Sequence, residues 1–319
     1  MILHLNMKKL MLWALLSCIV NFGQSQLLYS ITKPNVDETS YLYGTIHLGD
    51  SVLLSWDNTF LDAFYSCDVQ VGEIDFINLQ VSPEGGSMMD IMNEMSKYDS
   101  LSAPQDTIQK IREILTLEFD SASAEGILTL NPFWGLTMTE QLRSIKEANA
   151  NDTIIEETAV LDDSMYYAPI DMQLQIMADE TGMQVMGLET VESQLKLVQL
   201  MSSSMTWSMF YAYLMDKDNP SKDRIDTSYD NLREIYLTQD LQRFQQIFEE
   251  SQMSAEFMKL MFTQRNELML SGMQNMMADD RKYFFAVGAG HLVGPEGLIE
   301  MLKKFDYIIT PVPFTFTKM

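Results

Sequence analysis

The sequence predicts an α/β protein in which a mixed sheet, built from N- and C-terminal β-α-β units, is flanked by helices and carries a helical insertion. Short apolar runs of strand length alternate with helical spacing near both ends of the chain. Between them, apolar residues recur three and four positions apart over long stretches. With 319 residues, of which 46% are hydrophobic, the chain can bury a sizeable core.

The N-terminal unit comprises a strand at residues 41–46, a short helix at 57–65 and a second strand at 69–76. Helical spacing places Phe60 and Phe64 on one inward face of the helix. Such units favour parallel strands with a right-handed crossover, and ligands tend to bind beyond the carboxyl ends of the strands. This end of the sheet is therefore where a site is expected.

The C-terminal unit comprises a strand at 283–287, a helix with Pro295 in its first turn, and a strand at 307–312. The elements predicted between the two units are helices at 106–119, 132–149, 171–181, 191–216, 228–250 and 254–279, with a short strand at 184–188. The mostly helical segment at about 190–280 is typical of a lid or an insertion. Residues 26–319 are therefore expected to form a single domain.

Residues 1–25 have the layout of a secretory signal peptide. Two lysines precede an apolar stretch at 10–20, and Gly23 and Ser25 stand three and one positions before a cut ahead of Gln26. The stretch is too short for a spanning helix, and no later segment approaches the ~20 apolar residues that a span needs. We expect export to the periplasm or cell envelope, or secretion.

The cysteines bear on anchoring and redox chemistry. Residues 15–18 resemble a bacterial lipobox, which would make Cys18 a lipid anchor, but plain cleavage is the favoured alternative. Removal of the signal leaves Cys67 as the single cysteine, so no intrachain disulfide can form. We expect Cys67 to be a small buried side chain rather than a nucleophile.

The charge balance excludes two classes of partner. There are 21 Lys and Arg residues against 45 Asp and Glu residues, which gives a formal charge of -24. A phosphate backbone or an anionic membrane surface would repel this chain, so we expect no nucleic-acid partner and no basic membrane-binding patch. Cationic substrates would instead be favoured on approach.

The two histidines beyond the signal occupy matching positions. His47 ends the stretch GTIH and His291 ends GAGH, each at the end of the first strand of its unit. A glycine there lets the backbone turn, so both imidazoles can project into one crevice. Either histidine alone would be an ordinary loop residue, but the pair predicts a site in which each ring offers one nitrogen to a metal.

A catalytic divalent ion usually needs a third ligand, often a carboxylate, and keeps a position for water. Strand alternation places Glu73 and Asp75 on the face of two valines. A carboxylate on a buried face is costly unless it is paired or ligated, so Glu73 is the candidate, whereas Asp75 can be solvated beyond the sheet. Mn²⁺, Co²⁺ and Zn²⁺ all accept this ligand set.

Arg265 interrupts the apolar stripe of the predicted helix at 254–279. A buried guanidinium needs an acidic partner or a bound anion. Arg265 is therefore either half of an internal ion pair or a clamp for a substrate carbonyl or oxyanion, and the neighbouring Asn266 could serve in either arrangement.

Four stretches of the chain resemble the TraB/GumN family, which is similar to the Tiki metalloproteases. They are YLYGTIHLG at 41–49, VGEID at 71–75, GLETVESQ at 187–194 and FFAVGAGHLVGPEGLIEML at 284–302. The resemblance implies a metal-dependent hydrolase fold with His47, His291 and Glu73 at its centre. It also implies a supporting role for Arg265 and Asn266, and an outer or structural position for Glu189.

One departure from the family concerns Asp171. The family commonly has a glycine-containing approach to an aspartate where this chain reads APID at 168–171, and this weakens any role for Asp171. The leading interpretation is an exported metal-dependent hydrolase that acts on peptides or proteins. The alternatives are a non-catalytic envelope protein that binds a metal, haem or small ligand in the same crevice, and a degenerate member kept as a structural partner.

Overall fold

The computed structural model describes residues 26–34, 38–78, 104–151, 168–216, 229–250 and 255–318. The predicted signal peptide at 1–25, with Cys18, lies outside them. The described strands form one six-stranded sheet of order β4-β3-β5-β2-β1-β6. In chain order they are β1 (Leu28–Thr32), β2 (Ser40–Thr45), β3 (Val69–Gly72), β4 (Gln184–Gly187), β5 (Tyr283–Gly288) and β6 (Ile308–Pro311).

The sheet is mixed, as predicted. Strands β2, β3, β4 and β5 are parallel, whereas β1 pairs antiparallel with both β2 and β6. Because β5 lies between β2 and β3, the C-terminal unit inserts its first strand between the two strands of the N-terminal unit. The carboxyl ends of these three strands consequently meet at one edge of the sheet. The edge pair formed by β1 and β6 includes a strand, β1, that the sequence analysis did not predict.

Helices account for most of the remaining described chain. They are α1 (Asn58–Tyr65), α2 (Gln105–Glu118), α3 (Ser121–Leu128), α4 (Pro132–Asn151), α5 (Ile170–Glu180), α6 (Val191–Ser204), α7 (Trp207–Asp216), α8 (Tyr229–Leu237), α9 (Leu241–Glu250), α10 (Ala255–Met258), α11 (Gln264–Met276) and α12 (Leu298–Lys304). No helix among the described residues is both long enough and apolar enough to cross a bilayer.

Several predicted helices have different bounds in the structure. The helix predicted at 191–216 is two helices, α6 and α7, and the one predicted at 228–250 divides into α8 and α9 near Gln239, whose φ of 56° is incompatible with a continuing right-handed helix. A π-helical turn at Lys259–Thr263 separates α10 from α11. The C-terminal helix begins at Leu298 rather than near Pro295, and α3 was not predicted.

Two clusters of buried side chains stabilise the described part of the chain. The larger one packs helices on the sheet around a group of aromatic rings, in which Phe60 meets Tyr43 and Phe284 edge to face at 4.7 and 5.5 Å. The smaller one joins α2, α3 and α7 through residues such as Ile111, Leu115 and Phe210. Cys67 is buried in the larger cluster, and burial raises the pKa of its thiol to about 12.

The strand predicted at 69–76 ends early, at Gly72. Beyond it the chain turns around Gln175 of α5, which is fully buried. The amide of Gln175 donates to the carbonyl of Ile74 at 2.7 Å and accepts from the N–H of Phe76 at 2.7 Å. These two bonds replace the ladder bonds that a longer strand would have made, so Glu73 stands on a fixed turn at the end of β3 and not on a pleated face.

Candidate active site

The two histidine motifs lie side by side at the carboxyl edge of the sheet. Strands β2 and β5 pair in parallel with Thr45 opposite Gly288, so the two chains leave the sheet together. His47 follows β2 by two residues, and His291 ends a single 3-10 turn, Ala289–His291, that directly follows β5. The predicted convergence of the two strand ends therefore places both histidines at the same edge of the sheet, although they are far apart in the sequence.

Glu73 lies between the two motifs. Its Oε1 accepts a 2.8 Å hydrogen bond from the N–H of Gly288 and lies 3.7 Å from Nε2 of His291. Its Oε2 accepts from Arg265 Nη2 at 2.5 Å and from Gln194 Nε2 at 3.1 Å. A Cβ on Gly288 would lie 3.3 Å from Oε1, so the absence of a side chain at this position is what allows the carboxylate to approach so closely.

Arg265 forms an internal ion pair with two carboxylates. Its Nη2 donates to Glu73 and also to Glu189 Oε2 at 2.6 Å, while Nε donates to Glu189 Oε1 at 2.9 Å. The three side chains are 12%, 13% and 4% exposed for Arg265, Glu73 and Glu189, respectively. Of the two alternatives that the sequence left open for Arg265, this geometry is that of the ion pair, and Glu189 is its second carboxylate partner.

Each histidine has its Nδ1 held by an oxygen. His291 Nδ1 lies 2.6 Å from Asn266 Oδ1, and His47 Nδ1 lies 3.1 Å from Asp171 Oδ2. The amide of Asn266 is oriented by its second bond, in which Nδ2 donates to the carbonyl of Glu296 at 2.7 Å. Its oxygen must therefore face His291, so Nδ1 of His291 carries the hydrogen and Nε2 has the lone pair.

The charges of the cluster follow from burial and contacts. Burial lowers the pKa of His291 to about 4, so this imidazole is neutral at pH 7. Burial opposes ionisation of Glu73, but positively charged neighbours and the Gly288 N–H lower its pKa to about 2; with His291 neutral, those charges are the guanidinium of Arg265 and the imidazole of His47. The hydrogen bond to Asp171 raises the pKa of His47 to about 9.

A small pocket opens above these residues. Its free volume is about 40 Å³, which is room for about three water molecules or a hydrated ion and far too little for a haem. His47 is 70% exposed at the pocket, whereas His291 is buried beneath the ring of Phe262, whose centroid lies 5.3 Å from the imidazole. The pocket is lined by Thr45, His47, Glu73, Ile74, Phe76, Asp171, Gln175 and Gln194.

The chemistry of the donor set fits a divalent ion, although the arrangement is not that of a completed coordination sphere. Within the described ranges, no group of three or more His, Cys, Asp or Glu side chains has converged on one point. His291 Nε2 and Glu73 Oε1 do face each other at 3.7 Å, and two ligands about 2.1 Å from one tetrahedral ion would lie about 3.4 Å apart. His47 lines the same pocket and would have to approach as the third ligand.

Other acidic residues near the site have structural partners. Asp75 does not face the cluster, because its carboxylate accepts from the backbone N–H groups of Ile77 and Asn78 and closes the turn after β3. Asp171, for which the sequence analysis saw little role, is the partner of His47. The signal that could have revealed it is Gln175, a polar residue one helical turn later on the buried face of α5.

The sequence matches a model of a known protein family. The model of the TraB/PrgY/gumN family matches residues 27–311, a range that contains every site residue described above. No curated protein and no solved structure matches the chain. Because the matched range spans nearly the whole described chain, this protein belongs to the TraB/PrgY/gumN family.

Proposed function

We propose that the protein is an exported metal-dependent hydrolase that cleaves peptides, with His47, His291 and Glu73 as ligands of a divalent ion. One observation carries the proposal. His291 Nε2 faces Oε1 of Glu73 at 3.7 Å, and because Asn266 holds Nδ1 and burial lowers the pKa of the ring, we infer that two acceptors face each other with no hydrogen between them. Such a pair is repulsive unless a cation lies between its members, and imidazole with carboxylate is a common ligand pair for Mn²⁺, Co²⁺ or Zn²⁺.

The surrounding residues hold these ligands in position. The N–H of Gly288 and the guanidinium of Arg265 fix the carboxylate of Glu73, and Asn266 fixes the ring of His291. Partners of this kind set the tautomer and direction of a ligand and typically matter 10–100-fold for metal affinity. Arg265 therefore acts on Glu73 and not on a substrate oxyanion, because its Nε and Nη2 donors are already bonded to carboxylates.

A bound divalent ion would polarise the scissile carbonyl and lower the pKa of a water molecule. In the overall reaction the oxygen of water bonds to the carbonyl carbon, the carbon–nitrogen bond breaks, and the departing nitrogen takes a proton. His47 is the exposed member of the set and lies where a substrate would enter. The formal charge of -24 favours cationic peptides during approach, and the signal-like layout of residues 1–25 supports export.

The decisive experiment compares bound metal in the wild type with bound metal in H47A, H291A and E73A, after mild dialysis at neutral pH. E300A is the matched control, since Glu300 is an exposed carboxylate paired with Lys303 on α12. We expect roughly stoichiometric metal in the wild type and E300A, and a loss of at least tenfold in the three site variants. Undiminished metal in all three would overturn the ligand set.

Activity is tested separately with a broad peptide library, with and without a chelator. Cleavage that is abolished by the chelator and by H47A supports a hydrolase. Stoichiometric metal without turnover of any peptide would instead indicate a non-catalytic metal-binding protein.

A further inference from the structure

Helix α5 makes contacts around two of the three proposed ligands from a single face. Asp171 and Gln175 are four positions apart on this helix, so they lie one turn apart on the same side, with a rise of about 6 Å between their Cα atoms. Gln175 is fully buried, and only 13% of the Asp171 side chain is exposed. Polar groups buried in this way need partners, and both residues have them at the edge of the sheet that carries the site.

Gln175 holds the turn on which Glu73 stands. Its amide donates to the carbonyl of Ile74 and accepts from the N–H of Phe76, each at 2.7 Å, so it fixes the backbone directly after Glu73. The approach is close, because a Cβ on Gly72 would lie 2.3 Å from Gln175 Nε2. The missing side chain of Gly72 therefore leaves room for the amide at the end of β3.

The other end of the same helix face holds the loop of His47. Asp171 Oδ2 lies 3.1 Å from His47 Nδ1, and the backbone N–H of Ile170, the first residue of α5, donates to the carbonyl of Leu48 at 3.0 Å. An ionised carboxylate only accepts hydrogen bonds, so the hydrogen of the first contact belongs to Nδ1, and Nε2 is the nitrogen that an ion can use. Both the imidazole of His47 and the backbone beside it are therefore tied to α5.

We infer that Gln175 and Asp171 are positioning residues of the metal site. Through them α5 sets the separation between Glu73 and His47, and the inference rests on the proposed function, in which these two side chains bind one ion. The third ligand, His291, has its ring held from a different helix, α11. A substitution at either contact of α5 should therefore weaken the metal site although every ligand is still present.

The first test measures metal binding to the folded protein. Q175M keeps the length of the side chain but removes both bonds to the turn. The control Q70M makes the same substitution at a second fully buried glutamine, whose amide has no hydrogen-bond partner among the described residues. At a temperature where every variant is folded, we expect the Kd for Co²⁺ to rise at least tenfold in Q175M and less than twofold in Q70M, with the visible absorption bands of bound Co²⁺ altered in Q175M alone. Equal Kd values and equal spectra for the two variants would overturn the role of Gln175.

The variants D171A and D171N separate position from charge at the other contact. Both remove the negative charge, but the amide oxygen in D171N can still accept from His47 Nδ1. We expect D171A to raise the Kd for Co²⁺ at least tenfold and D171N to recover most of that loss. If D171N binds Co²⁺ as weakly as D171A, the residue acts through its charge and its positioning role is wrong.

A third measurement uses the metal-free protein and does not depend on the proposed function. Amide hydrogen exchange at residues 73–78, followed by mass spectrometry, should be at least tenfold faster in Q175M than in the wild type and Q70M, while β5 stays as protected as in the wild type. Unchanged exchange at 73–78 would overturn the role of Gln175 even if the variant binds metal weakly. If the wild type binds no Co²⁺, the proposed function fails, and exchange at 73–78 then decides whether α5 holds the turn that carries Glu73.

Discussion

Replacement of Arg265 by methionine should strongly destabilise the fold. The substitution keeps the apolar length of the side chain but removes the cation between Glu73 and Glu189, which are 13% and 4% exposed. Removal of one partner from a buried ion pair costs about 3–5 kcal/mol, and we take the lower end because Glu73 retains some contact with solvent. At about 2.1 cal/mol/K per residue, a chain of 319 residues unfolds with an entropy of roughly 0.7 kcal/mol/K, so about 3 kcal/mol lowers Tm by roughly 4–5 °C.

Thermal unfolding followed by far-UV circular dichroism measures this effect, with R281M as the matched control. Arg281 also pairs with a carboxylate, that of Asp279, at 2.8 Å, but both side chains are well exposed, and such pairs contribute about 0–1 kcal/mol. The double variant R265M/E189Q should recover part of the loss, because it removes one of the two uncompensated charges. If R265M unfolds within 2 °C of R281M, at about 1 kcal/mol or less, the buried ion pair is not a structural element and our reasoning about Arg265 is wrong.

Three further predictions concern the fold. Cys67, whose pKa is raised to about 12 by burial, should not react with a thiol reagent at pH 8 until denaturant is added, and reaction in the native state would contradict its burial. G187A should lower the free energy of unfolding in urea by about 1–3 kcal/mol, because its Cβ would lie 2.8 Å from the backbone N of Asp75. In the control G126A the new Cβ meets nothing within 4 Å, so this variant should be neutral or should stabilise helix α3 by up to ~1 kcal/mol. D120A should cost about 1 kcal/mol in the same assay, because Asp120 caps α3; no change would show that the cap contributes nothing.

The sequence was sufficient to predict the sheet edge at which the two histidine motifs meet. The stretches GTIH and GAGH each place a glycine where a buried strand stops, and the structure has β2 and β5 as parallel neighbours that end in register. The parallel arrangement follows from the β-α-β units, whose crossovers leave few alternatives. The β-α-β units do not predict the strand order, because the insertion of β5 between β2 and β3 depends on long-range pairing and not on any local pattern.

The partner of His47 could not be predicted, for a similar reason. Asp171 lies 124 positions further along the chain, and an acidic residue in the first turn of a helix is already explained by the helix dipole. Its contact with His47 depends on where α5 docks. That docking is held by Gln175, which bonds both sides of the turn after β3, and by the N–H of Ile170, which donates to the carbonyl of Leu48 at 3.0 Å.

Arg265 shows most clearly what the sequence alone cannot predict. Its place on an apolar helix face marks it as unusual but does not identify its partner. A guanidinium on an apolar helix face is equally consistent with an ion pair and with an anion clamp. The ends of β3 and β4 distinguish the ion pair from the anion clamp. The two strands pair with Gly72 opposite Gly187, and just beyond them the N–H of Glu189 donates to the carbonyl of Glu73 at 2.7 Å. Two carboxylates that leave neighbouring strands side by side require a cation between them, and Arg265 is therefore already bonded to both of them.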